Sequence, residues 1–438
     1  MQMVFVKNTN PNILYVLYVT LISLTLKWVY AIHVLMTMMD KKSELQEKII
    51  TKYIKEKPSR STIVLPTGVG KTRVALQIAE NLFKSEDIKS CLIVTPTTVL
   101  KDDSWPAEIK LLGLGKLNIT IECKQTAYKF EDHYDLIIID EVHMALSDVH
   151  GKVLDIPCDY MLGLTATLPE HNEHHLDVLL ERLPVFFSIS LAECVAQEIV
   201  PAFQVFNLKV KLNAGERARY VIYNKMFEKA RIELAQTIKN NTLYQDMDVF
   251  DLAADASRTI NHPLHKVGKA YWSSMSMRKW VCYRAESKKK VCIDLIKKFP
   301  DKKWIVFSKE IKFVEDLAQM LNSEGILTLA YHSNMKDNDR AAVLATISDP
   351  KYKVLVSAEA LNVGYNLPDL DAAICASGVS TELVGIQMIG RINRYKEGKT
   401  PVMINLACDN TQEMIWVTNR TKNISSQWVN SIKHDFIT

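Results

Sequence analysis

Thr62-Ile63-Val64-Leu65-Pro66-Thr67-Gly68-Val69-Gly70-Lys71-Thr72 runs from a short apolar segment through a glycine loop into an amphipathic stretch, Thr72–Phe83. A buried-type strand that passes through glycines into a helix is the setting a phosphate-binding loop requires. Gly68 and Gly70 permit backbone geometry that turns N–H groups towards phosphate oxygens. The helix N-terminus that follows adds partial positive charge. Lys71 is placed to reach the β- and γ-phosphates of ATP, and the Thr72 hydroxyl to ligate Mg²⁺. Pro66, Thr67 and Val69 complete the candidate nucleotide-binding loop. Leu65 stands where the generic motif has its first glycine.

A second stretch supplies the partner this loop needs. Asp135-Leu136-Ile137-Ile138-Ile139-Asp140-Glu141-Val142-His143 is an apolar strand ending in two carboxylates, about 70 residues beyond the glycines. The C-terminal ends of parallel strands are where α/β sheets place ligand chemistry. Asp140 is expected to hold Mg²⁺ through water, and Glu141 to orient and polarise an attacking water. Alone, such a pair is weak evidence, but downstream of a phosphate loop it is strong.

Strand and helix patterns alternate on both sides of these two stretches. Short β-branched runs lie at Thr62–Leu65, Cys91–Thr95, Leu136–Ile139 and Met161–Leu164. A second set lies at Trp304–Phe307, Leu327–Tyr331, Lys353–Val356, Ala372–Cys375 and Val402–Leu406. This alternation predicts parallel sheets covered by helices on both faces. From Asn213 to about Phe299 the pattern is mostly helical. The expected organisation is α/β: an N-terminal segment over 1–39, a first lobe over 40–200, a basic and mostly helical connector over 201–300, and a second lobe over 301–438.

These residues resemble a known family. Pro66–Thr72 is similar to helicase motif I, Asp140–His143 to a D-E-x-H box, and Leu164-Thr165-Ala166-Thr167 to motif III. In the second lobe, Trp304–Lys309 resembles motif IV and Ser357–Pro368 motif V. Gln387-Met388-Ile389-Gly390-Arg391-Ile392-Asn393-Arg394 fits the Q-x-x-G-R-x-x-R of motif VI. Together they resemble superfamily 2 helicases and translocases of the DExH type, over about Leu45 to Leu406. Pro96-Thr97 with Leu100, Trp105 and Glu108 resembles a P-x-x-x-L-x-x-x-W-x-x-E pattern. That pattern belongs to phage branch-migration helicases, type III restriction motor subunits and XPB-like repair helicases. Ser104 stands where those relatives commonly carry Gln before the Trp.

The resemblance implies two tandem RecA-like lobes and several residue roles. Gln46 is the candidate for the adenine-reading Gln upstream of the phosphate loop. Gly364, in motif V, lies among the nucleotide contacts. Gln387, Arg391 and Arg394 are the expected catalytic residues of motif VI, the two arginines acting as fingers on the γ-phosphate, where a planar guanidinium binds phosphate oxygens bidentately. If they come from the second lobe, hydrolysis requires closure of the lobes, and closure and reopening become steps along a bound strand. His143, Thr165 and Thr167 are implied to couple the nucleotide to nucleic acid. Pro96, Thr97 and Asn362 are implied to border the nucleic-acid groove, which is gripped mainly through its phosphate backbone. Thr126 is a weaker candidate, for which a surface turn is an equal alternative.

Residues 261–310 hold 13 basic and 4 acidic side chains. Lys288, Lys289 and Lys290 lie in this stretch, and Tyr271, Trp272, Trp280 and Tyr283 are interleaved with its basic residues. Two readings fit: phosphate contacts with stacking rings, or a helical connector with aromatics in its core and lysines on its wet face. The basic cluster favours the first reading, and the aromatics fit both equally.

The whole chain, 438 residues with 54 Lys+Arg against 50 Asp+Glu, looks nearly neutral. That total hides a split. Residues 40–200 carry 18 basic and 25 acidic groups, and residues 201–438 carry 34 and 25. With 48% apolar residues the chain is globular, which excludes disordered and fibrous classes. Eight cysteines without a C-x-x-C pair fit a reduced, cytoplasmic protein. Residues 13–26 carry no charge and the apolar stretch continues to Met39. It fits one membrane span, or a start codon assigned ahead of the native one among Met36, Met38 and Met39. The second is preferred because nothing downstream gives a membrane a role. The expected activity is ATP-dependent movement on DNA or its remodelling, at forks or branched junctions. An RNA helicase or the motor of a restriction-like complex is the alternative. The expected partner is nucleic acid, DNA over RNA, with no obligate protein partner.

Overall fold

A computed structural model of the chain describes residues 39–147, 149–170, 172–358, 370–378 and 400–433. The apolar segment 1–38 lies outside the described residues, and among those described no helix is long and apolar enough to cross a membrane. The described residues divide into two compact units between Ala202 and Phe203.

The first unit is built on a six-stranded parallel sheet. Its strands are β1 (Arg60–Val64), β2 (Cys91–Thr95), β3 (Ile119–Cys123), β4 (Tyr134–Ile139), β5 (Cys158–Thr165) and β6 (Val185–Ser188), in the order β3-β2-β4-β5-β1-β6. The central strands read as unbroken apolar runs because both faces are covered. Leu136 to Ile139 are fully buried, as are Leu92 and Ile93 beside them. Helix α1 (39–56) precedes β1, α2 (Lys71–Lys84) follows the glycine loop, and α3 (Trp105–Leu111), α4 (Lys124–Ala127), α5 (Glu173–Arg182) and α6 (Leu191–Ala196) come after in chain order. Helix α2 buries Ala75, Ile78, Ala79 and Leu82, the i, i+3, i+4, i+7 stripe of a helix lying on a sheet. Ile78 and Leu82 each contribute about 1.5–3 kcal/mol when fully buried.

The second unit contains a seven-stranded parallel sheet. Its strands are β7 (Gln204–Val210), β8 (Trp304–Ser308), β9 (Thr328–Tyr331), β10 (Val354–Ala358), β11 (Ala372–Cys375), β12 (Val402–Cys408) and β13 (Gln427–Val429). They are ordered β13-β7-β12-β11-β8-β10-β9. The α/β class and both parallel sheets agree with the sequence. The expected connector, however, opens with β7, which pairs with β12 inside this sheet.

Between β7 and β8 lie α7 (Ala214–Asn240), α8 (Val249–Arg258), α9 (His265–Tyr283) and α10 (Glu286–Lys298), and α11 (Ile311–Ser323) and α12 (Asp337–Thr346) follow β8 and β9. Helix α7 starts at a capping box, Asn213 with Glu216, and that Glu216 carboxylate also accepts from the Glu286 N–H at 2.7 Å and the Ser287 hydroxyl at 2.6 Å. One acid thereby fixes the starts of α7 and α10. Helices α7, α8 and α9 share a core of Phe227, Leu234, Leu252 and Tyr271. Gly268 lets α9 approach α8 closely, since a Cβ there would sit 2.8 Å from Ser257 N and 2.9 Å from the Ala253 carbonyl.

Candidate functional site

The strand order of the first sheet places β2, β4, β5 and β1 side by side, with Val94 level with Ile139, Ile139 with Gly163, and Val64 with Thr165. Their C-terminal ends therefore form one edge. Along it lie Pro96 and Thr97 after β2, Asp140 and Glu141 after β4, Thr165 and Thr167 at the end of β5, and the glycine loop after β1. Residues far apart in sequence meet here because parallel strands all end on the same side.

In the loop, Gly68 and Gly70 have φ of +94° and +98°, the left-handed region that favours glycine. Pro66 and Val69 are buried, while Thr67 and Thr72 are half-buried. Gln46 on α1 donates through Nε2 to the Val69 carbonyl at 2.6 Å. A Cβ on Gly70 would lie 2.5 Å from that same nitrogen. Gln46 therefore braces the loop from beneath, and its amide N–H is engaged with the backbone. Lys42, one turn earlier, lies beside the loop too: its Cε is 3.7 Å from the same Cβ position. Burial, then the nearby Arg73 charge, holds the Lys42 ammonium below its usual pKa. Sequence reasoning passed over Lys42 because no motif contains it.

The charged centre is compact. Lys71 Nζ lies 3.6 Å from Glu141 Oε1 and 3.4 Å from the Leu65 carbonyl. Asp140 and Glu141 are both buried. Glu141 takes φ +46°, a conformation rarely adopted by residues with a Cβ, and strain of this kind clusters at functional sites. Asp140 Oδ1 accepts from the Glu141 N–H at 3.0 Å, and Oδ2 from the indole Nε1–H of Trp105 at 3.1 Å. Burial, then the neighbouring Glu141 charge, pushes the Asp140 carboxyl up to about 6. Glu141 Oε2 is buried and makes no hydrogen bond. The Asp140 carboxylate and the Thr72 hydroxyl are oxygen donors of the kind Mg²⁺ prefers, and a carboxylate oxygen left unbonded suits a group that must hold a water.

His143 lies on the short turn Val142–Ala145. Its Nδ1 is 3.1 Å from Thr165 Oγ1 and 3.5 Å from Glu141 Oε2. Thr165 in turn donates to the Thr167 carbonyl at 2.7 Å. A short polar chain thus connects Glu141 to the end of β5. Gln125 Nε2 donates to the Pro96 carbonyl at 3.5 Å, and Thr97 accepts from the Leu100 N–H at 3.5 Å. Asn362, Gly364, Gln387, Arg391 and Arg394 lie outside the described residues.

The lysine run of α10 needs a correction. Lys288 is fully buried, donating to Glu413 at 2.7 Å and to the Ala376 carbonyl at 2.5 Å. Burial alone would lower its pKa, but the Glu413 carboxylate outweighs that and the net direction is up. Lys289 is also buried, between Glu286 at 2.8 Å and Asp316 at 2.6 Å. Neither ammonium can meet a phosphate, and only Lys290 of the three is exposed. Of the interleaved rings, Tyr271 and Tyr283 are buried, the latter donating to the Gly378 carbonyl at 3.1 Å. Trp272 packs edge-on to Phe250, and the Arg284 guanidinium covers Trp280. Cys282, Cys408 and Glu413 hold ligand atoms within 4.8 Å of one another, but Lys288 already neutralises that acid.

Residues 36–113 and 107–170 match the family model of the type III restriction enzyme res subunit, and residues 287–396 match that of the helicase conserved C-terminal domain. The chain is a superfamily 2 helicase. It is related to the type III restriction and XPB-like group, and its helicase domains indicate ATP hydrolysis. This helicase is 26% identical over 389 residues to DNA 3'-5' translocase XPB2 of Sulfurisphaera tokodaii, covering 84% of this chain and 82% of that protein. It is 21% identical over 359 residues to a protein of Escherichia phage T5 named "Probable helicase D10", covering 77% of this chain and 66% of that one. A solved structure titled as S. cerevisiae Dbp5 bound to RNA and ADP BeF3 matches it with a TM-score of 0.57 over 90% of this chain and 93% of that chain. At 13% identity that likeness concerns the fold alone.

Proposed function

We propose that this helicase is a DNA-dependent ATPase that uses Mg²⁺ and ATP to move along or remodel DNA, including forks and branched junctions. The observation that carries the reading is the cluster at the first sheet's edge: Lys71, Asp140 and Glu141, with His143 linking Glu141 to Thr165. The likeness to a protein named a DNA translocase supports DNA over RNA.

In this reading the N–H groups of the loop and the Lys71 ammonium hold the β- and γ-phosphates, and Gln46 keeps the loop in shape. Thr72 and Asp140 would hold Mg²⁺, which when bound neutralises charge on the phosphate oxygens. Glu141 uses its unbonded Oε2 to orient water for in-line attack on the γ-phosphorus. As the bond to the bridging oxygen breaks, a proton of the water passes to Glu141, which then releases it to solvent, and ADP and phosphate leave. Arg391 and Arg394, with Gln387, supply further γ-phosphate contacts, and Gly364 joins the nucleotide contacts. His143, Thr165 and Thr167 relay the state of the nucleotide towards Pro96, Thr97 and Asn362 at the nucleic acid. Lys290 remains a phosphate contact. Eight free thiols, seven of them buried, support an intracellular, reducing location.

The test compares ATPase rates of the full chain with single-stranded DNA, forked DNA, a four-way junction and RNA. Stimulation by DNA above RNA is expected. Stimulation by RNA alone would make it an RNA helicase, and stimulation by neither would remove the motor reading.

A further inference from the structure

Trp105 is buried without any exposure, as expected of a large ring packed beside a sheet. Packing explains the ring but not the direction of its N–H. Indole has one donor and no acceptor, and a buried one must find a partner. Here the partner is Oδ2 of Asp140, on the neighbouring strand end, at 3.1 Å. Asp140 thus receives one neutral N–H on each oxygen, and the second comes from the backbone of its own turn. Among the described residues, Trp105 is the only side chain that donates to it.

The route by which Trp105 arrives is unusual. Four residues separate Leu100 from Trp105, where the L-x-x-x-W pattern has three, and Leu100–Ser104 form a single π-helical turn. The Trp105 N–H closes it by bonding to the Leu100 carbonyl. A π turn takes up one extra residue, and π turns recur at functional sites. Pro106 accounts for its position. In a regular α-helix its ring would collide with the Asp102 carbonyl four residues back, and the wider turn moves that carbonyl aside. Beyond the turn, helix α3 (Trp105–Leu111) resumes normal geometry.

The other end of the π turn is fastened to Thr97. Leu100 N–H reaches Thr97 Oγ1 at 3.5 Å, and Lys101 N–H reaches the Thr97 carbonyl at 3.2 Å. The Thr95 hydroxyl at the end of β2 donates to the same carbonyl at 3.1 Å. An unbroken series of short contacts therefore runs from Thr97, through one irregular turn, to the indole and on to Asp140.

We propose that Trp105 is a positioning residue that couples nucleic acid at Thr97 to the carboxylate that would hold Mg²⁺. A phosphate engaging Thr97 shifts the π turn, and the indole N–H moves with it against Asp140 Oδ2. A hydrogen bond is directional, so a moved indole N–H changes the orientation it favours for the carboxylate. The inference rests on the reading of the chain as a DNA-dependent ATPase with Asp140 at its metal.

The test uses the full chain with Trp105→Phe, and with the isosteric benzothiophene analogue of tryptophan incorporated at position 105, which keeps the shape and removes only the N–H. Mn²⁺ binding in the presence of ADP is followed by electron paramagnetic resonance. ATPase is measured with and without single-stranded DNA, and a fluorescent ATP analogue is titrated in EDTA. Loss of a hydrogen bond to a charged group predicts that Mn²⁺ affinity and the DNA-dependent increment in rate each fall about tenfold, with nucleotide affinity in EDTA within about twofold. Wild-type Mn²⁺ affinity and wild-type DNA stimulation in the analogue protein would overturn the proposal. So would losses confined to Trp105→Phe and tracking its melting temperature, which would reduce Trp105 to packing. A wild-type chain whose ATPase ignores DNA would overturn this inference together with the motor reading. DNA stimulation in the wild type that survives loss of the N–H overturns the inference alone.

Discussion

The first unit holds Lys71, Asp140 and Glu141 at its sheet edge, and the second holds Lys288 and Glu413 against the end of its own. All five side chains are nearly or fully buried, yet they are paired differently. Lys288 meets Glu413 at 2.7 Å, and the other carboxylate oxygen of Glu413 accepts the Cys408 N–H at 3.0 Å. Lys71 stands 3.6 Å from Glu141, whose second oxygen has no hydrogen bond. Two acids share one close cation in the first case of burial, and one acid fully engages one cation in the second. The first arrangement keeps capacity for a polyanion, a metal and a water. The second has none to spare and acts as a strut, tying α10 to the strand end at Ala376 and to α13 (Gln412–Arg420).

If that contrast holds, removing each lysine should do opposite things. Lys71→Ala should lower ATP turnover by about 10³-fold, the scale of losing a preorganised phosphate contact. Its circular dichroism and melting temperature should stay those of the wild type. Normal turnover would remove the phosphate-loop assignment. Lys288→Ala should instead lower stability by about 3–5 kcal/mol, because Glu413 is left buried and uncompensated. Urea unfolding reads this directly. Replacing both partners with apolar residues, Lys288→Met with Glu413→Leu, should recover only part of the loss: it removes the uncompensated charge, but leaves the buried Cys408 N–H and Ala376 carbonyl without their partners. A single variant as stable as the wild type would break the comparison.

Why one of these regions was legible in sequence and the other was misread has a physical basis. The phosphate loop and Asp140-Glu141 are set by local order: a buried strand, then the chemistry, at the strand end where the fold must put it. The strand runs from Cys91 to Thr95 and from Ala372 to Cys375 were equally plain because both faces are buried. Strands β3, β6 and β13 were missed because they are edge strands with largely half-buried or exposed residues, and the interior strand β7 was absorbed into the expected helical connector. The lysine run was read as one patch, although consecutive helical residues point about 100° apart. Lys288 is four residues from Cys292 and seven from Leu295, and Lys289 stands likewise to Ile293 and Ile296, all buried. Lys290 aligns with Asp294 and Lys297 on the wet stripe. The helical period therefore carried the correct assignment, and the three like charges obscured it. The role of Gln46 beneath the loop and the bond from Trp105 to Asp140 depend on tertiary placement, which spacing in sequence does not encode.

Glu141 sharpens the contrast on the side of the site. Glu141→Gln keeps the shape, removes one of two adjacent negative charges, and leaves no previously satisfied oxygen without a partner. Hydrolysis should fall about 10²-fold, the range expected for loss of a base or water-orienting group. ATP should still bind, as a trapped complex in filter or fluorescence assays. Relief of the repulsion with Asp140 should leave the nucleotide-free protein as stable as the wild type or up to about 1 kcal/mol more stable. A marked loss of stability would mean that Glu141 is part of the scaffold, in the manner of Glu413.

The smallest effect is expected at Lys290, the exposed member of the lysine run. Lys290→Glu should leave stability within about 0.5 kcal/mol of wild type, as for most surface changes. If its ammonium neutralises a DNA phosphate, affinity for DNA should weaken for every sequence alike, and the slope of log affinity against log salt should become shallower by about one. The result separates two ideas that share the same three residues. A shallower salt slope would make α10 a helix with a strut on one face and a phosphate contact on the other. An unchanged slope would make the whole run scaffold, and would move the search for phosphate contacts to Lys266 and Lys269, which α9 exposes with no acidic residue of its own to compete for them.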